Sequence, residues 1–191
     1  MKYERLKSDI YRMGEYSIRS IKLEHMDAIR VWRNEQIDVL RQARPLTNAD
    51  QQFYYHNTVL PSYSDPQTKL MLFSYFQNEN LIGYGGLTNL DWINLRGEIS
   101  FLLETSRSDK FEQEQYRYDF SIFLQLIKSV AFVELSLHRL FTETYEFRKL
   151  HISVLEQNGF MFEGRMRQHV RINGRFVDSL IHGCVKETND V

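Results

Sequence analysis

Arg148-Lys-Leu-His-Ile-Ser-Val-Leu-Glu-Gln-Asn-Gly-Phe-Met-Phe-Glu-Gly-Arg-Met-Arg-Gln-His-Val-Arg-Ile-Asn-Gly-Arg-Phe-Val-Asp178 encodes a helix, its stop signal and a β-hairpin in unbroken succession. The spacing predicts a short helix over Arg148–Asn158. Gly159 just past its end tolerates the left-handed backbone of a C-terminal cap, and Phe160 is placed to fold back onto Leu155. Asn173-Gly174 is the dipeptide favoured in a two-residue type I′ turn. Such a turn pairs Ile172 with Arg175, Val170 with Val177 and His169 with Asp178. Arg165, Arg167, His169 and Asp178 would then share one face of the ribbon.

Upstream, Leu140–Tyr145 reads as a short strand. The longest helix is expected from Tyr116 to Leu135, with Tyr116, Phe120, Phe123, Leu124, Ile127 and Ala131 on one face. Leu70–Phe76, Leu81–Leu87 and Glu98–Leu103 read as strands, the first two joined by the turn-prone Asn78-Glu-Asn80. Nearer the start, Tyr16–Leu23 alternates as a strand, and Glu24–Arg33 carries a helical apolar stripe. Thr47-Asn-Ala-Asp50 resembles a capping box. The order is β-α-α-β-β-β-α-β-α-β-β, an α+β chain with a mixed, mostly antiparallel sheet flanked by helices in three layers. With 191 residues and no linker or repeat, one domain is expected. Its core is expected over 16–186, with 1–15 and 187–191 peripheral.

Lys plus Arg number 24 against 25 Asp plus Glu, so the basic excess of a general nucleic-acid binder is absent. The one cysteine, Cys184, excludes an intrachain disulfide, and the six scattered histidines show no metal-ligand spacing. No apolar run approaches the ~18 residues of a membrane span. The first residues lack the apolar stretch of a signal peptide, so a cytoplasmic protein is expected.

Leu155-Glu-Gln-Asn-Gly-Phe160, Glu163-Gly164 and Asn173-Gly-Arg-Phe-Val-Asp178 together resemble the closing motifs of the RimJ/RimL-type GNAT acetyltransferases. Leu137-His-Arg-Leu140, Ile82-Gly-Tyr-Gly-Gly86, Arg96-Gly-Glu-Ile-Ser100 and Trp32-Arg33-Asn34 extend the resemblance across about Ser17 to Val185. It implies a GNAT fold in which two central strands splay apart around the pantetheine arm of acetyl-CoA, the co-substrate. It also implies transfer of the acetyl group to a small-molecule amine by direct attack on the thioester, with no metal, nucleic acid or membrane required. A homodimer is compatible with it. A nucleotide-linked amino sugar is one acceptor the basic N-terminal cluster suits; a protein α-amine or lysine is the enzymatic alternative. A non-catalytic acyl-CoA-binding module is the alternative of another class.

Two departures from the family pattern stand out. The stretch Glu104–Gln115, where a glycine-rich pyrophosphate loop belongs, has no glycine. In the helix before Gly159, Arg148 stands where relatives often carry Asn, and Leu155 where they sometimes place the tyrosine that protonates the departing thiolate.

Acetyl transfer needs a deprotonated amine, a donor for the thioester oxygen and held reactants. Glu98, sharing a strand face with Ser100 and Leu102, is the first candidate base; its other reading is an ion pair with Arg96 or Arg33. Glu143 is the second candidate. Tyr145 is the candidate acid, with His151 and Ser153 behind it. The backbone of Ser100, Phe101, Leu102 and Leu103 is expected to pair with pantetheine, and Arg107, Lys110, Arg148 and His151 to surround CoA. Arg33, Asn34, Tyr84 and Trp92 are expected on the acceptor side, with Arg41, Gln42 and Arg44 extending the basic cluster. Trp92 has a second reading as a loop plug, and His169–Asp178 is read as a cross-strand pair rather than a catalytic dyad.

Overall fold

Eight extended segments join edge to edge in one sheet, and four of the adjacent pairs are hairpins closed by short turns. A computed structural model describes residues 1–108 and 113–187. The strands are β1 (Ile10–Met13), β2 (Tyr16–Ser20), β3 (Met71–Gln77), β4 (Asn80–Asp91), β5 (Arg96–Leu103), β6 (Arg139–Tyr145), β7 (Met161–Ile172) and β8 (Arg175–Val185). They form one sheet in the order β1-β2-β3-β4-β5-β6-β8-β7, antiparallel throughout except at β5–β6. Asn78 and Glu79 both take positive φ, 45° and 66°, and so do Asn173 and Gly174, 48° and 81°. Paired positive φ values match the type I′ twist of a tight hairpin.

The helices are α1 (Met26–Glu35), α2 (Asn48–Tyr54), α3 (Leu60–Ser62), α4 (Gln113–Lys128) and α5 (Lys149–Gln157). A π-helical stretch, Tyr55–Val59, connects α2 to α3, and another, Ser129–Glu134, prolongs α4. The predicted capping box is present: Thr47 Oγ1 accepts from the Asp50 N–H at 3.1 Å, and Asp50 Oδ2 accepts from the Thr47 N–H at 2.8 Å. At the end of α5 the Phe160 N–H reaches the Leu155 carbonyl at 3.0 Å and the Gly159 N–H reaches that of Glu156 at 3.2 Å. That is the Schellman cap, with Gly159 at φ 83°.

Strand alternation assigns the layers. Phe101 stacks on Phe120 of α4 with centroids 4.4 Å apart and planes 11° apart. Glu98, of opposite parity on β5, is bonded to Arg41 in the connection between α1 and α2. α4 therefore covers one face and the α1–α2 region the other, giving three layers around a core centred on Phe73, Tyr75, Phe120 and Phe123. Each large side chain so buried contributes about 1.5–3 kcal/mol. No helix among the described residues is long and apolar enough to cross a membrane.

Two expectations need correction. Residues 1–15 are not peripheral: Ile10–Met13 forms the edge strand β1, and Tyr3 and Leu6 are buried. The Tyr3 hydroxyl accepts from the Leu72 N–H at 2.7 Å and lies 3.1 Å from its carbonyl, tying the start of the chain to β3. His169 does not pair with Asp178 either. The register runs from Val170↔Val177 directly to Met166↔Ser179, so Arg167, Gln168 and His169 bulge out opposite Asp178. Gln168 takes φ 51°, and its N–H donates to Asp178 Oδ1 at 2.7 Å, which fixes the bulge.

Candidate active site

β5 and β6 are bonded over only three pairs, Arg96↔Arg139, Gly97↔Leu140 and Glu98↔Phe141. Beyond them β5 stays with β4 and β6 with β8, so the two strands part. A slot of about 250 Å³ opens between them, walled by Glu98–Phe101 and Thr142–Tyr145. The carbonyls of Ser100 and Leu102 crowd Gly85 and Gly83 of β4, so they turn away from the slot. By strand alternation the N–H and C=O groups of Ile99, Phe101 and Leu103 face it. Of the four backbone positions predicted for pantetheine, then, Phe101 and Leu103 present hydrogen-bonding groups, while Ser100 and Leu102 are committed to β4. Gln36 Nε2 already donates to the Leu103 carbonyl at 2.8 Å, as an added strand would.

Three side chains in the slot can handle protons. Glu98 is buried, with Asn89 Nδ2 donating to Oε2 at 2.6 Å and Arg41 donating to Oε1. The ion-pair reading thus has a partner the sequence did not single out: Arg41, not Arg96 or Arg33. Glu143 points into the same slot; Arg41 Nη1 stands 3.6 Å from its Oε2, and its Oε1 is buried without a hydrogen-bond partner among the described residues. Tyr145 lines the slot as well, and burial raises its phenol above the ordinary range, with Arg41 opposing. It is therefore held protonated, as a proton donor must be.

A second cavity, about 520 Å³, lies between the N-terminal ends of α4 and α5 and shares Val39, Arg148 and His151 with the slot. Arg148 opens α5 and reaches the Tyr116 hydroxyl at 3.4 Å. His151 stacks on Phe120 at 4.3 Å and holds the Tyr116 hydroxyl at 2.7 Å through Nδ1. Burial, with Arg148 and His182 adding to it, pushes its pKa well below 6.5, so the ring is neutral. Arg107 is elsewhere. Its guanidinium donates to Asp119 Oδ2 and Glu104 Oε1, each at 2.9 Å, and to Gln77 Oε1 at 2.7 Å. It is a buttress for the turn before α4 and does not line the groove. Lys110 lies outside the described residues.

A third cavity, about 310 Å³, meets the slot at Arg33, Thr88 and Ser100. Its walls are mainly apolar and aromatic, including Ile29, Leu46, Tyr54 and Tyr84. Arg33 donates to the Tyr84 hydroxyl at 2.6 Å and to Gln42 Oε1 at 2.9 Å. Asn34 does not face this space: its amide is consumed by the Leu46 carbonyl, the Leu46 N–H and Gln42, bracing the α1–α2 connection. Trp92 is a plug rather than a rim residue. Its indole N–H donates to the Thr68 carbonyl at 2.8 Å, and Arg5 lies 4.0 Å above its ring.

Sequence reasoning missed Asn89 and Thr142 as slot residues and Gln36 as a groove residue. Asn89 sits on β4 at φ 48°, where the β4–β5 register shifts. Its enrichment in left-handed conformations was the one signal available. Among the described residues no cluster of three His, Cys, Asp or Glu is placed to hold a metal.

The family description "Acetyltransferase (GNAT) domain" matches residues 18–181. No curated protein sequence matches the chain significantly. Among solved structures, spermidine N-acetyltransferase from Vibrio cholerae in complex with CoA and spermine shares 16% identity at a TM-score of 0.76, over 91% of this chain and 96% of that one. The dodecameric structure of that enzyme in an intermediate state gives 17% identity and 0.72, over 91% and 95%. At these identities the likeness establishes a shared fold, and the family match, spanning most of the chain, establishes more: this protein belongs to the GNAT acetyltransferases.

Proposed function

We propose that the chain transfers the acetyl group of acetyl-CoA to the primary amine of a small molecule carrying an anionic group, as a nucleotide-linked amino sugar does. The closing motifs near Gly159 and Gly174 support placing it in the RimJ/RimL-type branch. The observation that carries the reading is the parting of β5 from β6. It leaves a free strand edge at Phe101 beside two carboxylates and a protonated phenol.

Pantetheine would lie along that edge as an added strand, its thioester oxygen near a backbone N–H. The adenosine-phosphate end would sit in the groove at the helix N-termini, where exposed N–H groups favour negative charge without any glycine. Tyr145 would protonate the sulfur as it leaves.

Acceptor chemistry follows from charge. Arg41 is engaged by Glu98 and Glu143, and Arg44 by Asp50. Arg33 has no carboxylate partner among the described residues, so one guanidinium faces the acceptor space uncompensated. Asp50, the acid in that cavity, is neutralised by Arg44. Such a lining disfavours a polycation like the spermine bound by the structural relative. An amine bearing a phosphate or carboxylate suits it, because guanidinium pairs with both.

The test is thiol release from acetyl-CoA with a panel of UDP- and dTDP-amino sugars, spermidine and α-amine peptides. Turnover of the anionic amines ahead of spermidine is expected. If acetyl-CoA neither raises the melting temperature nor yields thiol with any amine, the reading is wrong. Binding without turnover would indicate a non-catalytic module.

A further inference from the structure

Glu98 has no accessible oxygen to spare. Asn89 and Arg41 each donate to a different carboxylate oxygen, and the residue is buried. Both of its oxygens are thus taken up by donors of this chain, which leaves neither open to an incoming amine. Glu143 differs. Its Oε1 is buried in the slot with no donor among the described residues, and buried carboxylate oxygens are ordinarily satisfied. His169 Nε2 stands 3.8 Å from that oxygen and is nearly half exposed. The bulge at Arg167–His169 is what sets the imidazole there, for regular pairing would have put His169 opposite Asp178.

We infer that Glu143 is the proton acceptor of the transfer reaction and that His169 is the positioning residue through which its proton reaches solvent. This rests on the acetyltransferase reading above. The groups facing Glu143 are Arg41 from the α1–α2 connection, Tyr145 on its own strand, Glu98 across Arg41, His169 from β7 and Arg148 at the head of α5.

The balance closes. An ammonium acceptor gives one proton to Glu143, which passes it through His169 to solvent. The freed nitrogen lone pair forms the C–N bond, and the C–S bond breaks with its electron pair on sulfur. Nitrogen gives up a second proton to Glu143, matching the one Tyr145 donates to the thiolate and later regains. The products are the amide, free CoA thiol and one released proton.

The experiment measures kcat and its pH profile with acetyl-CoA and whichever panel amine the unaltered protein turns over fastest. Glu143→Gln should lower kcat at pH 7 by about 10²–10⁴-fold. Its residual rate should rise with pH as the fraction of free amine rises, while the thermal shift with acetyl-CoA stays unchanged. Glu143→Asp should retain the acidic limb at reduced rate. His169→Ala should slow turnover in dilute buffer and recover with added imidazole, which a merely structural role would not do. If Glu143→Gln keeps kcat within threefold, or imidazole leaves His169→Ala unchanged, the assignment is overturned while the acetyltransferase reading stands. If the unaltered protein turns over no amine, both fall.

Discussion

Replacing Arg107 by Met separates a structural cation from a phosphate-binding one. Asp119 is fully buried in α4, and Arg107 is its only salt-bridge partner among the described residues. Removing one partner of a buried ion pair costs about 3–5 kcal/mol, because the survivor is left charged and desolvated. Here the Tyr16 hydroxyl at 2.9 Å and Gln115 Nε2 at 2.7 Å still donate to Asp119 Oδ1. The lower end, about 3 kcal/mol, is therefore expected. For a chain of this size each kcal/mol moves the melting temperature by about 2–4 °C, so Arg107→Met should lose roughly 6–12 °C. The double variant Arg107→Met with Asp119→Leu should regain most of that loss, since no charge then remains buried. Thermal melts followed by circular dichroism, with the KM for acetyl-CoA measured on each variant, decide the matter. KM should stay within about twofold, because the guanidinium is absent from the groove walls. An unshifted melt with a tenfold higher KM would refute the buttress and restore Arg107 to the phosphates.

Tyr145→Phe should lower kcat by about 10²-fold with little change in KM, and the wild-type rate should hold through the ordinary phenol range because burial raises the hydroxyl's pKa; a decline in wild-type kcat near pH 9 would contradict this. His151 and His25 are both held below 6.5, mainly by burial, so the unfolded chain takes up protons that the folded chain refuses. Stability should fall as pH drops below about 6.5, by at most ~1.4 kcal/mol per pH unit for each ring, and His151→Asn should flatten that slope in urea titrations at pH 5 to 7. Gly159→Ala should cost about 1 kcal/mol through its φ of 83°. Gly86→Ala should cost far more, since a Cβ there overlaps the Met71 carbonyl oxygen of the neighbouring strand; equal melting temperatures for the two would disprove that contrast.

What was legible in the sequence was what neighbours along the chain decide. The cap at Gly159, the turn at Asn173-Gly174, the Thr47 box and the aromatic face of α4 each need only a few consecutive residues, and each is present. Contacts between distant segments were not. Glu98 was found as a slot residue by its strand parity, yet its partner Arg41 arrives from 57 positions away in an irregular connection. Arg107 read as a free cation because its counter-charge, Asp119, is hidden on the inner face of the next helix. The His169 bulge depends on a single left-handed residue, Gln168, that no local pattern announces. β1 was lost for another reason: it is only four residues long, lies between Asp9 and Glu15, and is only partly buried.

Arg41 touches both Glu98 and Glu143 from the irregular connection between α1 and α2. Any displacement of that segment withdraws one positive charge from two carboxylates together. The electrostatic tuning of the reaction centre is thus geared to the posture of the connection that flanks the acceptor cavity. A substitution as remote as Asn34, whose amide braces that connection, should register at a reaction centre it never meets.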